Sequence, residues 1–140
     1  MGNIVKASTK FIEGMAFETE LGGHKIIIDA EEKVGGKNLG ASPKPLILSS
    51  LSGCTAMDVI SILRKMRVEV ESFTVDVEAN STDEHPKYYD KIKLIYRFKG
   101  KDLPMKKLEK AVSLSQDRYC GVSYMLSKTV DLSHKIIIEE

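Results

Sequence analysis

Between Pro43 and Met66 the chain reads PKPLILSSLSGCTAMDVISILRKM, a stretch in which nearly every position is apolar or small. Leu46, Ile47, Leu48, Leu51, Gly53, Ala56, Met57, Val59, Ile60, Ile62, Leu63 and Met66 fall on all faces of a helix, and a helix apolar all round is expected to be buried all round. Ser42-Pro43 supplies its start, a capping hydroxyl followed by a proline whose missing N–H costs nothing in the first turn. Arg64, Lys65 and Arg67 place cations at its C-terminal end, where the helix dipole favours them. Asp58 is the only formal charge between Lys44 and Arg64. Serines and Asp58 interrupt the apolar run, whereas a membrane span needs a longer and cleaner one. This is expected to be the central helix of the domain.

The flanking segments read mostly as strands. Ala16 to Leu21 (AFETEL) and Lys25 to Ala30 (KIIIDA) surround Gly22-Gly23, a pair suited to the positive φ angles of a tight hairpin. Asn3 to Ile12 alternates loosely and predicts a third antiparallel strand, and Val34 to Ser42 (VGGKNLGAS) reads as a glycine-rich, flexible connection. After the helix, Glu71 to Ala79 and Tyr88 to Lys99 alternate with period two and predict a long antiparallel pair. Asp102-Leu103-Pro104 opens a second helix through Tyr119, with Leu108, Ala111, Val112 and Ser115 on one face. Cys120-Gly121 breaks it, Val122 to Thr129 follows as a short third helix, and Leu132 to Glu139 as a final strand. The order βββ-α-ββ-αα-β indicates an α+β fold in a single domain over residues 1–140.

Charge and motifs exclude several function classes. With 21 Lys+Arg against 20 Asp+Glu there is no broad electrostatic footprint for nucleic acid. Met1 to Lys10 lacks a signal-peptide core, so a cytoplasmic location is expected. Gly40 is followed by Ala41-Ser42, not by the Lys-Ser/Thr of a phosphate-binding loop. His24, His85 and His134 are widely separated, with no ligand pair at one-turn spacing, so neither a metal nor a cofactor is expected.

Two cysteines remain, Cys54 in the central helix and Cys120 at the end of the second. Small buried packing residues and redox-active thiols are both open readings, and sequence spacing alone does not bring the two together. Asp58 lies one turn from Cys54 on the same helix face, where its charge would raise the thiol pKa. It also reads as a buried carboxylate bonded to hydroxyls or to a base.

Gly40-Ala41-Ser42-Pro43 leading into Ser52-Gly53-Cys54-Thr55-Ala56, with Asp58-Val59 beyond, and then Tyr119-Cys120-Gly121-Val122-Ser123 with Met125-Leu126, resemble the OsmC/Ohr family of osmotically inducible and organic hydroperoxide resistance proteins. The resemblance extends nearly end to end and is nearest to the OsmC-like branch with Cys-x-Ala-x-Asp-Val in the central helix. It implies an OsmC-like fold and an intertwined homodimer in which sheets wrap the central helices. A chain with five Tyr, four Phe and no Trp has little else with which to cover such a helix. It also implies a thiol-dependent peroxidase. Cys54 matches the cysteine that attacks an organic hydroperoxide and becomes a sulfenic acid, and Cys120 matches the one that resolves it as a disulfide, which a thiol reductant then opens.

The sequence departs from the family's peroxidases at the activating residues. Lys44 and Pro45 stand where a glutamate follows the helix-start proline, and no arginine precedes Arg64. Gly121 stands where many relatives have proline. Lys44, at the start of the helix that carries Cys54, and Arg118, beside the Cys120 motif, are the first candidates to replace the activating residues, although Lys44 is roughly 15 Å of helix rise from Cys54 and Arg118 also reads as a surface or helix-end residue. Loss of the activating pair keeps a second expectation open: a weakly catalytic or non-catalytic protein that senses oxidation or binds a small ligand.

Overall fold

The computed structural model describes residues 2–139. The chain forms two compact units, one reaching to Ile47 and one running from Leu48.

The first unit is an antiparallel meander of β1 (Ala7–Glu13), β2 (Ala16–Leu21) and β3 (His24–Ile28). Gly22 and Gly23 turn the hairpin with φ of 57° and 80°, as their lack of a Cβ permits. Phe11 faces Phe17 across the β1–β2 pair, edge to face with ring centroids 5.5 Å apart. A short 3₁₀ turn at Glu32–Val34 follows.

The segment expected to be a flexible connection is instead built around Asp29. Its carboxylate, buried with its residue only 3% exposed, accepts the backbone N–H groups of Ala30 (2.7 Å), Lys37 (3.2 Å) and Leu39 (3.1 Å). The N–H of Leu39 is the largest influence holding the Asp29 carboxyl below its ordinary pKa; burial opposes it, and the other two amides and Lys37 assist it. Gly36 and Gly40 pass so close to the carbonyls of Ala30 and Ile27 that a Cβ would lie 1.9 and 2.0 Å from those oxygens. The glycines therefore serve close backbone approach rather than flexibility.

The long helix α1 (Pro43–Lys65) begins in the first unit and contributes most of its length to the second. It ends where Arg67 adopts a left-handed φ of 60°, with Val68 N–H donating to the Leu63 carbonyl at 2.9 Å and Arg67 N–H to that of Arg64 at 3.1 Å. These are the paired bonds of a Schellman ending, and the apolar contact that accompanies it joins Val68 and Leu63 to one core. By length and composition α1 would suffice to cross a membrane, a property it shares with core helices of water-soluble proteins.

In the second unit β4 (Ser72–Ser81), β5 (Tyr89–Lys99) and β6 (Asp131–Glu139) form a sheet with β5 at its centre, antiparallel to β4 and parallel to β6. The parallel pair is reached through α2 (Met105–Leu114), a π-helical turn (Ser115–Tyr119) and α3 (Gly121–Ser127). Ile92, Leu94, Tyr96 and Phe98 alternate along β5 into the core, where Phe98 stacks on Phe73 at 4.5 Å. Leu108, Ala111 and Val112 of α2 and Leu51, Val59 and Leu63 of α1 complete the cluster. The buried residues of α1 are a single stripe, Leu51, Thr55, Val59 and Leu63. Burial on every face, as its composition led us to expect, is therefore not reached within one chain: Ile47 is 41% and Met57 73% exposed.

Gly36→Ala and Gly40→Ala should each lower the unfolding free energy by about 1–3 kcal/mol, because the carbonyl that a Cβ would strike is backbone and cannot move aside. Thermal or urea unfolding of the two variants checks this.

Candidate functional site

Cys54 and Asp58 are successive residues on one face of α1, four apart. Cys120 reaches them from the far end of the π-turn, whose closing bond runs from Cys120 N–H to the Ser115 carbonyl at 2.8 Å. The two sulfurs and an Asp58 carboxylate oxygen all lie within 4.8 Å of one another, with Cys120 buried and the other two half-buried. Neither cysteine is in a disulfide. None of the three histidines joins the group; His134 instead meets the Tyr96 ring edge-on, 6.0 Å away.

Backbone amides at the start of α3 point at both sulfurs. Cys120 is the residue before that helix, in an extended conformation, and its Sγ accepts the Ser123 N–H at 3.4 Å. The Val122 N–H bonds to Cys54. Burial nevertheless pushes the Cys54 thiol up from its ordinary pKa; the Val122 amide opposes this, while Cys120 and the charge of Asp58 add to it. Cys54 is thus disfavoured as a thiolate, and it stands beside the Asp58 carboxylate.

Behind the thiols lies a buried polar network. Ser115 Oγ donates to Asp58 Oδ2 at 2.9 Å, because an ionised carboxylate can only accept. Having spent its one proton there, Ser115 accepts from Thr55 Oγ1 at 2.7 Å, and Thr55 in turn accepts from the Tyr96 hydroxyl at 2.7 Å. The Gln116 amide donates to both the Tyr96 and the Thr55 oxygens, at 2.7 and 3.2 Å. Every hydroxyl in the chain Tyr96, Thr55, Ser115, Asp58 therefore points towards the carboxylate. Burial first, and the nearby Cys120 and Asp58 after it, push the Tyr96 phenol up despite its bonds to Thr55 and Gln116, which keeps it a donor. A cleft of about 510 Å³ opens beside Asp58, lined also by Met57, Ser61, Ile62, Lys65, Leu114 and Tyr119.

The structure brings together Cys54, Cys120 and Asp58. The Arg118 guanidinium stands over the ring of Tyr119, 5.5 Å from its centroid, and Lys44 lines a groove of the first unit. Thr55, Tyr96, Ser115 and Gln116 escaped the sequence reading. Two carried a signal: Tyr96 is a hydroxyl at an inward position of an apolar strand, and Ser115 lies on the apolar face of α2, so both had to find buried partners.

Residues 35–135 match the model of the OsmC-like protein family. The chain belongs to that family. Among curated relatives, protein YhfA of Escherichia coli K12 is 35% identical over 131 residues, 93% of this chain and 95% of YhfA. A crystal structure of a hypothetical protein from Aquifex aeolicus VF5 superposes with a TM-score of 0.84 at 29% identity, over 99% of this chain and all of that one. The organic hydroperoxide resistance protein OsmC of Legionella pneumophila shares the fold, with a TM-score of 0.71 at 16% identity over 96% of this chain and 97% of its own.

Two outcomes follow for this OsmC-family site. The rate of Cys54 alkylation by iodoacetamide should rise with pH through a midpoint above that of a free thiol, and Asp58→Asn should lower that midpoint by removing a like charge. Thr55→Val should cost about 1–3 kcal/mol in urea unfolding, since it leaves the buried Tyr96 O–H without an acceptor and removes the donor to Ser115.

Proposed function

We propose that this protein is a cytoplasmic, thiol-dependent peroxidase that reduces organic hydroperoxides, working as an intertwined homodimer of one OsmC-like domain spanning residues 1–140. The observation that carries the reading is the convergence of two thiols and one carboxylate, Cys54 and Asp58 from α1 and Cys120 from the end of the π-turn, in a chain of the OsmC family. The name of the Legionella relative points to the same substrate class.

In the first step Asp58 accepts the Cys54 thiol proton while the sulfur attacks one peroxide oxygen. The O–O bond breaks, the leaving alkoxide takes the proton from Asp58, and the products are an alcohol and a Cys54 sulfenic acid. In the second, Cys120 attacks that sulfur; its S–O bond breaks, water leaves and a disulfide between Cys54 and Cys120 forms. An external dithiol reduces it by exchange. Asp58 here takes over the activating part of the missing arginine and glutamate: it moves the proton at the moment of attack instead of stabilising a standing thiolate. Ser115, fed by Thr55 and Tyr96, holds the carboxylate in place.

Mixing the reduced protein with cumene hydroperoxide should consume two thiols per chain and yield the Cys54–Cys120 peptide disulfide by mass spectrometry. With dithiothreitol present, turnover should continue, and Asp58→Asn should slow it roughly 100-fold. Persistence of both thiols would contradict the reading. The raised Cys54 pKa favours the second reading, an oxidation sensor or small-ligand binder; single-turnover oxidation without continued peroxide consumption would select it.

The dimer is supported by apolar side chains that one chain leaves exposed. Besides Ile47 and Met57 on α1, Phe11, Ile12, Met15, Leu21 and Ile26 of the N-terminal meander are each more than 40% exposed, large apolar side chains that a partner chain would cover. Sedimentation should give a dimer that persists on dilution, and Ile47→Asp should shift it towards monomer; a stable wild-type monomer would remove this part of the proposal.

A further inference from the structure

We infer that Cys54, Cys120 and Asp58 form a binding site for one zinc-class divalent cation per chain, held by two sulfurs and one carboxylate oxygen. This stands on the donor set and its surroundings and does not rest on the peroxidase reading.

Two features carry it. First, the donors suit a borderline-soft ion: two thiolates and a carboxylate are ordinary zinc ligands, and a Zn–S bond of about 2.3 Å in tetrahedral geometry sets sulfurs about 3.8 Å apart. The present donors, all within 4.8 Å of one another, need only small side-chain rotations to close on an ion. Second, the outer contacts are those that orient metal ligands. Ser115 fixes the carboxylate through its 2.9 Å bond to Oδ2, and the consecutive amides of Val122 and Ser123 each donate to one of the two sulfurs.

Three protein ligands leave a fourth tetrahedral position for water, and a cleft reaches the Asp58 ligand. The same two sulfurs cannot be bound to an ion and joined to each other, so metal-loaded and disulfide forms exclude one another. Loading releases the protons of both thiols, and affinity should therefore rise with pH.

The test uses the reduced full-length protein, stripped with a chelator and titrated with cobalt(II), whose thiolate complexes absorb in the near ultraviolet. The expected result is a saturable charge-transfer band at one equivalent per chain, lost on addition of zinc. Cys54→Ser and Cys120→Ser should each weaken binding roughly 100-fold and Asp58→Asn roughly tenfold, by the scale at which metal-site substitutions act. Wild-type protein oxidised with diamide should give no band, a control that needs no variant to fold. Absence of a saturable band in the reduced wild type, or a band undiminished by diamide or by Cys54→Ser, would overturn the site. Cobalt binding by a protein that leaves hydroperoxide unconsumed would sustain this inference while removing the peroxidase reading; peroxide turnover without cobalt binding would do the reverse.

Discussion

Tyr96 carries a hydroxyl into the most apolar part of the second unit, at 0% exposure, beside Leu94 and Phe98. A buried hydroxyl without a partner would cost about 1–3 kcal/mol, so its hydrogen bonds are a condition of the core. Thr55 of α1, Gln116 of the π-turn and, one bond further on, Ser115 meet that condition, and they tie β5, α1 and the end of α2 to each other. The same bonds aim at Asp58. Since Cys120 closes the π-turn on the Ser115 carbonyl, the network that satisfies the core also sets where the second thiol stands. Packing and chemistry thus share one set of side chains.

That sharing explains why the site disfavours a thiolate at Cys54. Burial that suits a core raises the Cys54 pKa, and a neighbouring carboxylate raises it further, while the single Val122 amide works in the opposite direction. The arrangement favours proton transfer on demand over a permanent thiolate. It also distinguishes this chain from family peroxidases that carry an activating arginine and glutamate, since Lys44 and Pro45 occupy the glutamate's region and no arginine precedes Arg64.

Much of this was legible before any coordinates. The hairpin at Gly22-Gly23, the α1 start at Pro43, the β4–β5 pair and the amphipathic α2 all follow from local rules of turn, cap and period, and β2 spans Ala16–Leu21 as read from the alternation. The parallel pairing of β6 with β5 was not legible, because strand alternation carries no partner. Nor was the order in residues 35–42: glycines chosen for close approach to Ala30 and Ile27 look the same in sequence as glycines chosen for mobility, and only Asp29 tells them apart. At the site, Cys54 and Asp58 were adjacent by helix spacing, whereas spacing did not pair Cys120 with Cys54 and only the family resemblance implied that they meet. The burial of α1 was overestimated for one chain because hydropathy counts apolar faces without saying whose atoms cover them.

The account stands most directly on Cys54 being the thiol that meets the oxidant first. Cys120→Ser protein treated with cumene hydroperoxide in the presence of dimedone, then digested and read by mass spectrometry, isolates that event. The account predicts a dimedone adduct on Cys54 that forms more slowly when Asp58→Asn is added. An unmodified Cys54 in folded Cys120→Ser protein, or adduct formation indifferent to Asp58, would contradict it.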